Sequence, residues 1–475
     1  MTQIAIVGAG IAGLNAALSL QDAGLACSIY EASSRVGGRM HSDAMTWADG
    51  MVSEWCGEFI DAEHETLHQL IARFGLPTTN LGSGRMNRAQ SVMYFCNRYY
   101  RAEELAEDFQ ALAPRLYQQF QDAGFPTTYA RFTPEGARLD HLSAYEWIEQ
   151  YVEGGHDVPV GHLLDAACTG FYGLDSREQS ALNLIYLFGS FYPAGGPITS
   201  GSLQASRKLV GGNEQLPWAI TRVLPPGCVH LDHQLIALER MSDASLTLTF
   251  AAAGNTLKVH CDHAILALPF SVLRHVDYRR AGFDPLKQQV IEELGYGTIS
   301  KLCLQFDRPY WYDDGPWPHP DNGFVITDLE MQTLWDTSLG QTGSNGLLVD
   351  YTSGHRGAAY APPMAYSTTD NFPHLQQYAQ DCLRQLESVF PGISAHYTGK
   401  AALSYPTGDP FLRGSYACWR VGQYTRFAGY EGVRQGSVHF AGEHCSVEFQ
   451  GYMEGAAREG ARAAREIIQD LAQGK

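Results

Sequence analysis

The chain opens on four apolar residues in a row, Ile4-Ala5-Ile6-Val7. A short, continuously apolar run is the pattern of a strand covered on both faces, as in a parallel sheet. A glycine-rich turn follows. Leu14-Asn15-Ala16-Ala17-Leu18-Ser19-Leu20 then carries helical period and composition as far as Gly24, and Cys27–Tyr30 reads as strand again, a βαβ-type opening. Farther along, residues 63–76 read as a helix stopped at Gly75. The stretch from about 77 to 205 is aromatic-rich and reads as irregular. Residues 228–238 and 245–269 alternate apolar and polar positions and predict strands, the last ending at Pro269. Residues 285–405 mix both patterns, and 455–475 place alanine and arginine at helical spacing, predicting a closing helix. No internal repeat or low-complexity tract is present.

Composition narrows the class. A chain of 475 residues exceeds one ordinary core, and 45% hydrophobic with 18% charged residues is a folded composition. No stretch reaches the roughly 18 apolar residues of a membrane span. The N-terminus has neither a basic region nor a cleavage site, so no secretory signal is expected. A net charge of −18 argues against nucleic acid as partner. The ten cysteines form no C-x-x-C pair, and no Cys/His spacing resembles a metal site. They predict reduced thiols in a cytoplasmic protein without a bound metal.

The turn after the first strand is Gly8-Ala9-Gly10-Ile11-Ala12-Gly13, a G-x-G-x-x-G between a buried strand and a helix. That context is what a dinucleotide site requires. Gly8 permits the tight turn, Gly10 admits a pyrophosphate, and Gly13 lets helix and strand pack closely, with the helix N-terminus facing the anion. Glu31, 18 residues after Gly13, stands where a carboxylate would accept the ribose hydroxyls. The extension Ala32 to Gly37-Gly38-Arg39 favours FAD over a nicotinamide nucleotide, since Arg39 can reach a phosphate. No second G-x-G-x-x-G is present to hold NAD(P)H. Near the other end, Phe440-Ala441-Gly442-Glu443 reads as a strand running into a turn, with Glu443 placed for a ribityl hydroxyl. Gly451-Tyr452-Met453-Glu454-Gly455-Ala456 opens a helix whose free amides could face the flavin.

Together with Glu54-Trp55-Cys56-Gly57-Glu58-Phe59-Ile60, Lys208-Leu209-Val210-Gly211-Gly212 and Ser300-Lys301, these motifs resemble the flavin-containing amine oxidase family over nearly the whole chain. The resemblance implies an α/β fold. Residues 1–76, 206–284 and 406–475 would form a Rossmann-type, glutathione-reductase-like FAD lobe, and 77–205 and 285–405 a mixed α+β substrate lobe. It implies FAD contacts from Gly8, Gly10, Ala12, Gly13, Glu31, Ala32, Gly38, Arg39, Gly57, Glu58, Leu235, Gly442, Glu443, Gly451, Tyr452, Met453 and Ala456. Lys301 would act on the flavin through a water, and Tyr416 and Tyr452 would flank the substrate nitrogen. Ser415 stands where monoamine oxidases carry a flavin-linking cysteine, so FAD is expected to be non-covalent.

The expected activity is oxidation of a small-molecule amine, with oxygen as acceptor and peroxide as product. A homodimer is allowed. Glu54, Glu58 and Asp61 could hold a cationic amine where amino-acid oxidases carry an arginine, and His64 reads as a helix-surface residue. Two other reactions stay open. An L-amino acid oxidase could bind a carboxylate through Arg101, Arg115 or Arg131, and a desaturase or cyclase could share the N-terminal motif. A flavin-stabilised scaffold is the non-enzyme alternative.

Overall fold

The computed structural model describes residues 2–81, 90–190 and 206–474. Ile4–Val7 is buried at all four positions because it has a parallel neighbour on each side, His263–Leu266 and Ser28–Tyr30. The full order is Val438–Phe440, His263–Leu266, Ile4–Val7, Ser28–Tyr30, Val229–His230. This sheet is therefore assembled from strands more than 400 residues apart in the sequence. Helix Ile11–Asp22 is buried nearly all round over its first ten residues, and a helix apolar on most faces belongs inside a core. Helix Met453–Ala472 covers it with a stripe of small residues, Ala456, Ala457, Gly460, Ala463 and Ala464. Asn15 in the first helix donates its side-chain amide to the Ala457 carbonyl at 2.8 Å.

A four-stranded sheet carries His233–Arg240 and its neighbours. The largest sheet has eight strands, with Ser300–Phe306 paired antiparallel to both Gly346–Thr352 and Tyr397–Ser404. Gln90–Phe95 joins it in parallel with Asp321–Thr327. The architecture is α/β, a parallel Rossmann-type sheet beside a large mixed sheet.

The described part of the stretch expected to be irregular is instead mostly helical. It holds Ala102–Ala123, Pro134–Asp140, Ala144–Tyr151, Pro159–Tyr172 and Ala181–Gly189. Ala102–Ala123 buries Leu105, Phe109, Leu112, Leu116, Gln119 and Ala123, a run of i+3 and i+4 steps that defines one face. Its aromatic residues and internal Pro114 obscure that period in the sequence.

Candidate active site

One large cavity, about 600 Å³, runs from the glycine turn to the helices of the second lobe. The turn itself is held open by backbone geometry. Gly8 has φ +103°, where a side chain is strained, and a Cβ there would lie 2.6 Å from the Ala267 carbonyl oxygen. A Cβ on Gly13 would lie 1.9 Å from the Gly8 carbonyl oxygen. Gly13 thus sets the helix–strand approach and is not itself on the cavity wall. Every other residue expected to contact FAD lines the cavity: Gly8, Gly10, Ala12, Glu31, Ala32, Gly38, Arg39, Gly57, Glu58, Leu235, Gly442, Glu443, Gly451, Tyr452, Met453 and Ala456. So do Lys301 and Tyr416.

Two carboxylates organise the nucleotide end. Glu31 accepts the Ala9 amide at 2.7 Å and both the amide and hydroxyl of Ser33 at 2.9 and 2.8 Å. Glu443 accepts from Arg39 Nη1 at 2.9 Å, from the Ala417 amide at 3.1 Å and from the Gly451 amide at 2.8 Å. It thereby ties three wall segments together. Arg39 also donates to the Ser415 carbonyl at 2.6 Å.

A third carboxylate forms a bridge that the sequence reading did not find. Glu58 takes the Lys301 ammonium on Oε2 at 2.8 Å and the Lys208 ammonium on Oε1 at 3.0 Å, with Thr337 Oγ1 donating at 2.5 Å. The two lysines hold its carboxyl well below the usual range against the opposing effect of burial. Lys301 Nζ also donates to the carbonyls of Glu54 and Cys56 at 2.7 and 3.2 Å. Three acceptors thus hold the three N–H groups of the Lys301 ammonium on the cavity wall.

The acidic segment differs from expectation. Glu54 does not reach the cavity. It is buried between Ser42 Oγ and the Asn213 amide, and burial pushes its carboxyl up to about 8. Asp61 does line the cavity. His64 is not on the helix surface but 2% exposed at the cap of Glu65–Arg73, where Nδ1 accepts the Asp61 amide at 3.0 Å. Its ring meets Tyr452 edge-on at 5.4 Å.

Tyr416 donates its hydroxyl to the Phe171 carbonyl at 2.6 Å and lies 3.1 Å from the Tyr351 hydroxyl. Tyr452 lines the same cavity with 42% of its surface uncovered. Phe59, Phe171, Tyr172, Phe324, Trp335 and Tyr351 complete an aromatic wall. Tyr351 could have been found only through strand register, since it pairs with Lys301. Arg35 and Arg39 are the guanidinium groups on the wall among the described residues, and both belong to the nucleotide end. Arg115 instead lies over the Tyr151 ring, and neither Arg101 nor Arg131 reaches the cavity.

A dinucleotide fits this site. Ser415 Oγ, both ring nitrogens of His444 and Gln450 Nε2 are buried on the wall without a protein partner. Such groups need a polar occupant. Among the described residues the thiol on the wall is Cys56; Cys418 and Cys445 are buried elsewhere.

The sequence model of the flavin containing amine oxidoreductases matches residues 11–468. The chain belongs to this family. It is an FAD-dependent amine oxidoreductase, and its relatives vary around that chemistry. It is 25% identical to an L-amino acid dehydrogenase of Synechocystis sp., over 98% of this chain and 94% of that one. It is 22% identical to a putrescine oxidase of Kocuria rosea, over 98% and 95%. Its fold matches cyclohexylamine oxidase from Brevibacterium oxydans with a TM-score of 0.81 at 20% identity, covering 99% of each chain. This amine oxidoreductase also matches a putrescine oxidase bound to putrescine, TM-score 0.77 at 21% identity, over 98% and 99%. No helix among the described residues is long and apolar enough to cross a membrane.

Proposed function

We propose that the enzyme oxidises small apolar amines without an α-carboxylate, using oxygen and non-covalently bound FAD. The observation that carries this is the wall beyond the nucleotide end, which is aromatic and presents no guanidinium among the described residues. A substrate carboxylate there would be buried without a partner, at a cost of several kcal/mol. Lys301 does not substitute, because its three N–H groups are already held by Glu58 and by the Glu54 and Cys56 carbonyls.

The flavin, when bound, supplies the acceptor for a hydride equivalent from the amine α-carbon. The chain's own groups prepare that event. Tyr416 and Tyr452 flank the nitrogen, and the hydrogen bond from Tyr416 to Phe171 fixes one ring. The aromatic wall excludes water and disfavours the ammonium form, leaving the nitrogen lone pair free. Lys301 offers the fixed positive charge on this side of the cavity. Amine, oxygen and water then give carbonyl compound, ammonia and hydrogen peroxide. FAD binds through the residues named above, and Ser415 cannot supply a covalent link. All ten cysteines are free, which fits a reducing compartment.

A peroxide-coupled screen, repeated with an artificial electron acceptor, tests this reading. Cyclohexylamine-like monoamines should exceed both the diamine putrescine and the L-amino acids. A preference for a free L-amino acid over its decarboxylated amine overturns the substrate class. Turnover with the acceptor alone, and none with oxygen, overturns the oxidase.

A further inference from the structure

We propose that His263, His439 and Asp470 form a buried site for one divalent transition-metal ion of the zinc class, separate from the flavin cavity. His263 begins one strand of the parallel sheet and His439 lies in the next. The register pairs Ile265 with His439. Residues 263, 265 and 439 therefore share one sheet face, because side chains alternate with period two. The two rings are 5.8 Å apart between centroids. Helix Met453–Ala472 covers this face and brings Glu466 and Asp470, one turn apart, onto it. One donor atom from each of His263, His439 and Asp470 lies within 4.8 Å of the others.

The hydrogen bonding leaves these donors ready for an ion. His439 Nδ1 lies 2.7 Å from Glu466 Oε2. A carboxylate there accepts a hydrogen bond from the Nδ1–H tautomer, so Nε2 presents a bare lone pair. Histidine ligands are oriented by a carboxylate in this way in metal sites. His439 Nε2 and His263 Nδ1 are both buried and both without a protein partner. The residues are 0% and 8% exposed. Two orphaned ring nitrogens facing one another on neighbouring strands are costly, at about 1–3 kcal/mol each, and one ion satisfies both.

The donor set selects the ion. Arg434 pairs with Asp470 Oδ2, and Arg462 pairs with Glu466 Oε1 at 2.6 Å. The cluster therefore has no excess negative charge to attract calcium or magnesium, which take oxygen ligands. Two imidazoles and a carboxylate suit zinc and its neighbours, with water in the fourth position. Bonds of about 2.1 Å require donors about 3.4 Å apart, so the three side chains must draw in by about 1 Å. The site lies at the strand starts, whereas Ala267 meets the cavity four residues later, about 13 Å along the strand.

The test uses FAD-loaded, tag-free enzyme dialysed against EDTA and titrated calorimetrically with zinc, and separately with cobalt(II) by absorbance. One equivalent of zinc per chain is expected, with a rise in Tm. His263→Gln and Asp470→Asn, at the edge of the cluster, should each weaken binding at least tenfold and abolish the zinc-dependent rise in Tm. Cys96→Ser is the control, because Cys96, His162 and Asp328 form a more exposed cluster elsewhere. Binding should survive it. No stoichiometric uptake by the wild type, or uptake lost in Cys96→Ser and intact in His263→Gln, overturns the proposal.

Discussion

Replacing Glu58 by glutamine tests the bridge that holds Lys301. The change keeps the shape and removes one negative charge from between two ammonium groups, 2.8 and 3.0 Å away. The amide oxygen can still accept from one lysine, but its NH₂ group then faces the other. Breaking a buried pair costs about 3–5 kcal/mol. Both lysines keep other acceptors: Lys301 the Glu54 and Cys56 carbonyls, Lys208 the carbonyl and hydroxyl of Thr337. The lower figure, about 3 kcal/mol, is therefore expected. With an unfolding entropy of about 2.1 cal/mol/K per residue, a chain of 475 residues should lose about 3 °C of Tm. Removing Lys208 as well should restore part of the loss, since Glu58→Gln/Lys208→Met leaves one lysine and one neutral acceptor. Calorimetry of wild type, both single variants and the double variant at constant FAD completes the cycle. Additive losses would refute the bridge, because two uncoupled residues have no interaction energy to recover.

Four further outcomes follow from the site. Lys301→Met should slow the oxygen half-reaction by ~10²–10³, with little effect on substrate binding, as measured by stopped flow with full FAD occupancy. Acid precipitation should release the yellow cofactor; flavin left on the chain would redirect attention to Cys56. Glu31→Ala should weaken FAD retention on dialysis by removing a charged acceptor worth ~1.5–3 kcal/mol per hydrogen bond. Glu54, pushed up to about 8 by burial, is protonated more readily folded than unfolded. Its contribution is thus present below pH ~4.3 and lost as pH rises towards 8. Glu54→Gln should reduce the fall in Tm over that window, which urea or thermal melts across pH would show.

Local signals carried the nucleotide end. Ile4–Val7, the three glycines and Glu31 lie within one βαβ-type opening, so spacing alone ordered them. The motif residues at the C-terminal end could be recognised, but Glu443 as a tie between Arg39, Ala417 and Gly451 could not, because those contacts span the chain. The Glu58 bridge was hidden for the same reason: Lys208 and Lys301 reach it from separate strands. His64 was misread because its short helix looked solvent-facing, whereas Tyr452 and Phe449 cover its ring. The helices between residues 102 and 189 kept a buried-face period that aromatic residues disguised.

The parallel sheet joins Ile4–Val7 to Val438–Phe440 through His263–Leu266, and this has a consequence for synthesis. At about 5–20 residues per second, tens of seconds separate emergence of the first strand from that of its last sheet-mate. For that interval the buried face of Ile11–Asp22 has no Met453–Ala472 to cover it, and Arg39 has no Glu443 to pair with. The nascent chain carries an unfinished apolar surface and cannot yet use FAD as a folding ligand. Chaperone occupancy should therefore persist until Met453–Ala472 has left the ribosome, and riboflavin starvation should deplete the protein after that point, not before it.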